Sequence, residues 1–537
     1  MITLFFLLLV ILSQMDDQSL VYTLDEALSA TEFGNFQGLV LFYAGLGWFA
    51  DAMEIMLLSF VGPTIKSEWG LSSREEGLLT TVVFAGMLLG AYLWGLISDN
   101  YGRRHMSFLS TSSYNEYNFI LLINAMQASG LCDVEEYGRR KDGFLTSLRG
   151  FLGIAIVTSV AGFLSSFSPN YMSLLILRCL VGTGLGGGSV FSSWFLEFIP
   201  ASNRGKWMVI FSTFWTIGTI FEASLAWIVM PRLNWRWLLG LSSIPSFALV
   251  LFYGLVPESP RYLCAKDRVT DAQLILEKIA LLNQTRLPCG MLISDRITEQ
   301  DEEFAPPNNT PLLSSPKHKA MDFKRAFSSF LLLFSPKFIQ TTLLLWVLYF
   351  GNSFSYYGII LLTSELSLGK SKCHSITLHS DNFQNSSLYI DVFITSLAEI
   401  PGLLLSAIIV DRMGRKLSMI IMFILACVFL LPLAYQQSAT LTIVSLFGAR
   451  MCTIGSFTVA CIYAPELYPT SMRATGAGTA NAMGRIGGMI CPLVAVGLVT
   501  GCNQTAAVLL FEAVMVLSVV SVLLFRFETM GQKLSNT

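Results

Sequence analysis

Apolar residues in this chain gather into long runs separated by short polar turns. The runs are close to the ~20 residues that a helix needs to cross a bilayer. They fall at 38–60, 77–97, 148–167, 172–194 and 207–230, with a sixth ending near 256. After a polar stretch they resume at 338–362, 390–410, 417–435, 441–463, 475–499 and 505–525. This pattern predicts an all-α membrane protein of twelve transmembrane helices, arranged as two six-helix bundles. The expected division is a cytoplasmic N-terminus over 1–37, a first bundle over 38–256, a cytoplasmic linker over 257–337, a second bundle over 338–525 and a tail over 526–537. The apolar stretch Met1 to Leu12 lacks a charged start and is too short to span, so it reads as an unusual start rather than a signal peptide.

Two polar signatures recur in register in both halves. Arg178 opens a glycine-rich run that closes on Glu197-x-x-Pro200-x-x-x-Arg204, and Arg450 opens one that closes on Glu466-x-x-Pro469-x-x-x-Arg473. The second run ends in Gly95-x-x-x-Asp99-x-x-Gly102-Arg103-Arg104, and the eighth in Asp411-x-x-Gly414-Arg415-Lys416. Repetition of this kind implies an internal two-fold repeat, a common design in secondary transporters. The basic residues Arg103/Arg104, Arg204/Lys206, Arg412/Arg415/Lys416 and Arg473 all follow even-numbered runs. That bias places both termini in the cytoplasm.

The repeat also exposes an irregularity. From Asp99 to Arg178 is 79 residues, against 39 from Asp411 to Arg450. The excess matches a stretch in which Tyr101-Gly102-Arg103-Arg104 recurs as Tyr137-Gly138-Arg139-Arg140, and whose longest apolar segment cannot span. Residues 105–140 therefore read as an insertion in a cytoplasmic loop. A functional insert and a retained intron or alternative exon, giving a non-functional splice product, both remain open.

Composition agrees with the membrane reading. Of 537 residues, 53% are hydrophobic and 13% charged, about half the charged share of a soluble domain, and mean hydropathy is +0.60. The net charge of −2 and the lack of a basic block give no sign of nucleic acid. Of the ten cysteines, Cys179, Cys427, Cys452, Cys461 and Cys491 lie inside apolar runs, where they read as small packing residues rather than a disulfide or metal framework. The four histidines, His105, His318, His374 and His379, all lie outside the runs. With no phosphate-binding loop and no metal-ligand spacing, nothing points to an enzyme, a cofactor or ATP-driven pumping.

Charge inside a span is expensive and usually marks a path or a partner. Asp51 and Glu54 lie one turn apart on one face of the first run, and Arg178 needs a partner that either of them would supply. Two carboxylates beside a guanidinium can couple proton affinity to movement; a permanent buried ion pair is the competing reading. Glu222, Asn352, Tyr356, Tyr357, Glu399 and Arg485 are further candidates to line a cavity, although each serves equally well as a packing hydrogen bond. Acids (Asp51, Glu54, Glu222, Glu399) outnumber bases (Arg178, Arg450, Arg485), and both Arg178 and Arg450 look structurally occupied. The balance leans towards a cationic or zwitterionic organic solute. The glycines Gly182, Gly184, Gly186, Gly187 and Gly188 read as close helix packing rather than ligand binding.

The paired turns, the Arg178 run, PESPRYL at 257–263 and PELYPTSMRATG at 465–476 together resemble the major facilitator superfamily, and in particular its sugar-porter and organic-ion branches. GWFADAMEIMLLSFVGP, WTIGTIFEASLAWIVMP, NWRWLLGLSSIP and FSYYGIILLTSEL are similar to the synaptic-vesicle-glycoprotein-related transporters. The resemblance covers roughly 30–530 apart from the insert; Ala407 departs from it, standing where the second turn should open on glycine. It implies a multi-pass carrier of a small organic solute, organic ion or sugar-like, working by alternating access with protons as a candidate driving ion. The membrane would be an intracellular vesicle or the cell surface. It further implies that Asp51 is the first-span coupling acid. The charged groups Asp99/Arg103, Glu197/Arg204, Asp411/Arg415 and Glu466/Arg473 would then latch the two bundles, with static loop capping as the plainer alternative. A binding or scaffold protein of vesicle membranes, built on the same fold without flux, is the competing class. It would tolerate alanine at Asp51 or Arg178.

Overall fold

The computed structural model describes residues 21–101, 149–200, 204–255, 257–265, 268–288, 290–292, 331–372, 384–435, 437–468, 473–500 and 503–529. The insertion expected at 105–140, together with Gly102, Arg103 and Arg104, lies outside these residues.

Among the described residues, nine helices are long and apolar enough to cross a membrane. They are Asn35–Trp69, Ser73–Trp94, Tyr171–Leu196, Trp207–Val229, Ile339–Ser367, Leu388–Val410, Arg415–Ala434, Ala439–Glu466 and Gln504–Leu524. Two shorter apolar helices, Leu152–Ser165 and Trp235–Leu251, and the helix Arg473–Thr500 occupy the third, sixth and eleventh places. Taken in chain order these are spans 1 to 12, six in each half, close to the expected runs.

Local chemistry sets the ends. Asn170 and Ser173 bond reciprocally at the start of span 4, the Ser173 amide donating to Asn170 Oδ1 at 2.9 Å. Ser438 Oγ accepts from the Leu441 amide to open span 10. Span 1 stops at Gly70, whose φ of +65° suits glycine. Gly414, at φ +82°, makes the turn between spans 8 and 9. The Asn234–Trp237 stretch divides: Trp237 is exposed, whereas Trp235 is buried. The reason is local, since Trp235 Nε1 donates to Glu68 and its ring meets Trp69 edge-on.

The glycines do pack helices. A methyl on Gly182 would stand 2.2 Å from the Val83 carbonyl oxygen, and one on Gly90 2.0 Å from that of Thr183. Spans 2 and 4 therefore touch backbone to backbone. Gly184 and Gly187 abut Thr158 and Ile154 of span 3. Gly188 is different, because the atom facing it is Asp51 Oδ2.

The halves meet on the side away from the basic turns. Thr81 donates to the Met489 carbonyl at 3.0 Å. Phe84 packs edge-on against Tyr357 with ring centroids 4.6 Å apart, and it also faces Gly488. Phe60 meets Tyr389, and Trp227 meets Phe393. One hydrophobic cluster runs through both halves across this seam.

On the basic side a small platform caps the first bundle. Val21–Tyr22 pairs in parallel with Met291–Leu292 of the linker. Helix Leu24–Ala30 opens on a Thr23/Glu26 capping box. Linker helix Val269–Asn283 buries Ala272, Leu276 and Ile279 in the same cluster as Tyr22, Leu24 and Leu28. Arg261 pairs with Asp25. The sequence reads 1–37 as a cytoplasmic N-terminus; the described part, from Val21 on, contacts linker residues some 250 positions away, which periodicity does not reveal.

Candidate functional site

The interior carries two buried ion pairs. In the first half, Arg178 Nη1 lies 2.8 Å from Glu54 Oε2, and both groups are almost wholly buried. Arg178 Nε donates to Ser165 Oγ at 3.3 Å. The span-1 partner of Arg178 is thus Glu54, not Asp51. Glu222 of span 5 is buried nearby and within the field of both Glu54 and Arg178. Ser242 Oγ of span 6 stands 2.9 Å from each Glu222 oxygen. Among the described residues Arg178 pairs with Glu54, while Glu222 is held by Ser242.

In the second half, Arg450 donates to Glu399 Oε1 through Nη2 at 2.7 Å and Nε at 3.1 Å. Glu399 had been read as a cavity candidate; its carboxylate is already engaged. Tyr356 donates its hydroxyl to the same oxygen at 2.7 Å. The other half joins in: Thr219 Oγ1 reaches Glu399 Oε2 at 3.2 Å, and Trp215 Nε1 donates to Tyr356 at 2.9 Å. A relay Trp215–Tyr356–Glu399–Arg450 thus crosses the seam. Neither Trp215 nor Thr219 had been singled out, although a tryptophan and a threonine in mid-span are visible signals. Asn352 accepts from Ser456 at 2.7 Å, and its Nδ2 has no hydrogen-bond partner among the described residues.

Asp51 and Arg485 stand apart from these pairs. Asp51 is only 7% exposed, and the charges acting on it are Arg485 and Glu54. Among the described residues neither Asp51 nor Arg485 forms an ion pair. Arg485 touches Met87 Sδ across the seam at 3.4 Å. Tyr357 is buried within the field of both charges.

At the basic turns, Arg415 holds Glu466 in a forked contact, Nε and Nη2 each 3.2 Å from one oxygen. This links the two repeated motifs within the second bundle. The backbone amides of Arg415 and Lys416 donate to Glu528, which the sequence reading had left in the tail. Gly95 and Asp99 lie on the helix Ser73–Tyr101. The side chains of Asp99, Arg204, Asp411 and Arg473 are outside the described residues, and Glu197 is half-buried at the end of span 4. One mid-membrane acid was missed altogether: Glu512 of span 12 interacts with Cys427 of span 9.

Residues 134–537 match a family profile described as "Sugar (and other) transporter". The chain belongs to that family. It is an integral, multi-pass transporter of the major facilitator superfamily, and its relatives are carriers rather than enzymes. It is 52% identical over 533 residues to the organic cation/carnitine transporter 7 of Arabidopsis thaliana, covering 97% of this chain and 98% of that one. It is 35% identical to the synaptic vesicle 2-related protein of Xenopus laevis, over 96% of this chain and 83% of that one. Among solved structures, the partially occluded inward open conformation of the xylose transporter XylE from E. coli matches with a TM-score of 0.65. It does so at 14% identity, over 93% of this chain and 100% of that chain. At that identity the likeness is one of fold.

Proposed function

We propose that this transporter moves a small organic ion by alternating access, coupled to protons, along a path between its two halves. The observation that carries the reading is the relay across the seam. Trp215 and Thr219 of one bundle bond to Tyr356 and Glu399 of the other, beside a fully buried Arg450. A purely structural protein gains little from charge at such a place, because buried pairs are a poor source of stability. Bonds that bridge two rigid bodies, by contrast, are what a rocking motion must break and remake. Protons fit because a second buried carboxyl, Glu222, stands within the field of the Glu54–Arg178 pair.

The organic-ion class is favoured over sugars by the buried charge of Asp51 and by Arg485, which form no ion pair among the described residues, and one relative is named for organic cations and carnitine. The forked Arg415–Glu466 contact ties spans 9 and 10 of the second bundle together at the basic turns, where the charge network would form. The bias of basic residues supports termini in the cytoplasm, and the vesicle-related relative supports an intracellular membrane.

The test is uptake into proteoliposomes from a panel of organic cations, anions and sugars, with and without an inward proton gradient. Gradient-driven flux that Asp51→Asn abolishes supports the proposal. Absence of flux for every solute, from folded protein, would overturn it and favour the scaffold reading.

A further inference from the structure

Span 1 presents two opposite faces. At about 100° per residue, Trp48 and Asp51 share the face that meets spans 4 and 5, where both approach Gly188 and Trp48 packs on Trp215. Leu39, Phe42 and Leu46, three and four residues apart, fall on the other side of the helix. That second face looks into the bilayer: Leu39 is 43% exposed and Phe42 59%.

The bilayer face is hollow near its basic-turn end. A cavity of about 150 Å³ opens there between spans 1, 4 and 6. Its floor is formed by the buried Val40, Tyr43 and Trp194, and its rim by the exposed Leu39, Phe42 and Phe252. Tyr43 has no hydroxyl to spare, since it donates to the Leu249 carbonyl at 3.1 Å. Its ring is held edge-on by Trp194, with centroids 6.1 Å apart. The floor is therefore fixed, and what it offers a guest is ring faces and methyl groups.

We infer that this groove is a lipid site, which seats a stretch of one acyl chain of a bilayer phospholipid. An apolar cavity of this size stays dry and takes guests the size of a single aromatic ring. Water and polar solutes are thus poor occupants, and a four-ring sterol is too large. A flexible hydrocarbon chain can pass between Phe42 and Phe252 and lie along span 1. The mouth is continuous with the bilayer interface through Leu251 and Phe252, both exposed. Left unfilled, the groove would cost Val40, Tyr43 and Trp194 their contacts on that side. The seated chain supplies them and buttresses span 1 against span 6. Because it lies behind the helix that carries Asp51, the site is independent of the solute and of the transport reading.

The experiment places the full chain in phosphatidylcholine nanodiscs doped with a phosphatidylcholine that carries a diazirine on one acyl chain. Illumination and peptide mapping then locate the labelled residues. Labelling at 39–46 and at 249–257 should exceed, several-fold, that at the equally exposed Leu509 and Val516 of span 12. Leu39→Trp and Phe252→Trp each fill the groove from its exposed rim and should bring the labelling down to the span-12 level. Leu39→Ile should keep the excess. Gel filtration establishes that each variant is folded.

Wild-type labelling no denser at the groove than on span 12 would overturn the inference, since the lipid there is then only the common annulus. So would an excess that survives both filling variants. A third outcome would replace the occupant: if the excess appears only when residues 2–12 are deleted, the groove is taken by the chain's own apolar stretch and not by lipid.

Discussion

Arg450 donates twice to a single oxygen of Glu399, at 2.7 and 3.1 Å, and both side chains are fully buried. The acid on span 8 is thereby fixed by its own bundle before the other half touches it. Glu399→Gln removes one charge and leaves the other buried, a loss of about 3–5 kcal/mol. Thermal unfolding of purified protein should show a clear fall in Tm. Adding Arg450→Met should recover much of it, because the stranded charge is gone. An unchanged Tm in the single variant would mean the pair is not what holds Arg450.

Asp51 and Glu54 lie on the same face of span 1, and their substitutions should part company. Glu54→Gln breaks the pair with Arg178 and should destabilise by a similar ~3–5 kcal/mol. Asp51 has no ion-pair partner among the described residues, so Asp51→Asn removes a charge that is costly to bury and should leave Tm unchanged or raised. Flux should nevertheless vanish in the Asp51 variant. Measuring Tm and uptake side by side checks this; a destabilised Asp51→Asn protein would show that the carboxylate is structural.

The bonds joining the halves predict a change in conformational balance. Tyr356→Phe with Thr219→Val deletes two hydrogen bonds to a buried carboxylate, each worth about 1.5–3 kcal/mol. Both variants loosen the seam on the side away from the basic turns, where Phe393 faces Trp227. A Phe393→Cys reporter should be labelled by maleimide several-fold faster in that background than in the parent. Equal labelling rates would show that the seam does not depend on the relay.

The spans were legible because each apolar run needed only its own length and hydropathy to be recognised. The repeated motifs made the two-fold plan legible as well. What stayed hidden depends on contacts distant in sequence. That Glu54 rather than its neighbour pairs with Arg178 depends on the rotation of span 1 against span 4, where Gly47 lies against the Phe191 ring and Gly188 against Asp51. That Glu399 is engaged by Arg450 depends on spans 8 and 10 lying side by side. Thr219 and Trp215 looked like ordinary span residues until the second bundle supplied Glu399 and Tyr356. Glu512 escaped notice because it lies on span 12, away from every repeated motif.

Close packing of spans 2 and 4 gives a sharp contrast between glycines. An alanine at Gly182 would place its methyl 2.2 Å from a carbonyl oxygen, so the helices must move apart. Overpacking of this kind costs about 1–3 kcal/mol or more. At Gly38 nothing lies within 4 Å of the added methyl, and alanine there should stay within about 0.5 kcal/mol of wild type. Paired melting curves check the contrast, and equal stability of the two variants would refute the tight crossing.

Asn283 ties the linker helix to the entry of span 1. Its Nδ2 donates to the Thr31 carbonyl at 3.1 Å and to Gln37 Oε1 at 2.7 Å, while its Oδ1 accepts from the Phe36 amide at 3.1 Å. Gly34 leaves room for it, since a methyl there would lie 2.3 Å from its Cγ. With all three polar positions of its amide in use, the side chain cannot carry a glycan without undocking the platform, although Asn283-Gln284-Thr285 reads as a sequon. Asn283→Ala strands the Phe36 amide and the Thr31 carbonyl, a loss of about 1–3 kcal/mol for each buried group left unpaired. Because the platform packs on one bundle only, the damage should stay local. Limited proteolysis should cut faster between residues 23 and 34 while the main unfolding transition barely shifts. A large fall in the main transition would instead show that the platform folds as one unit with the membrane core.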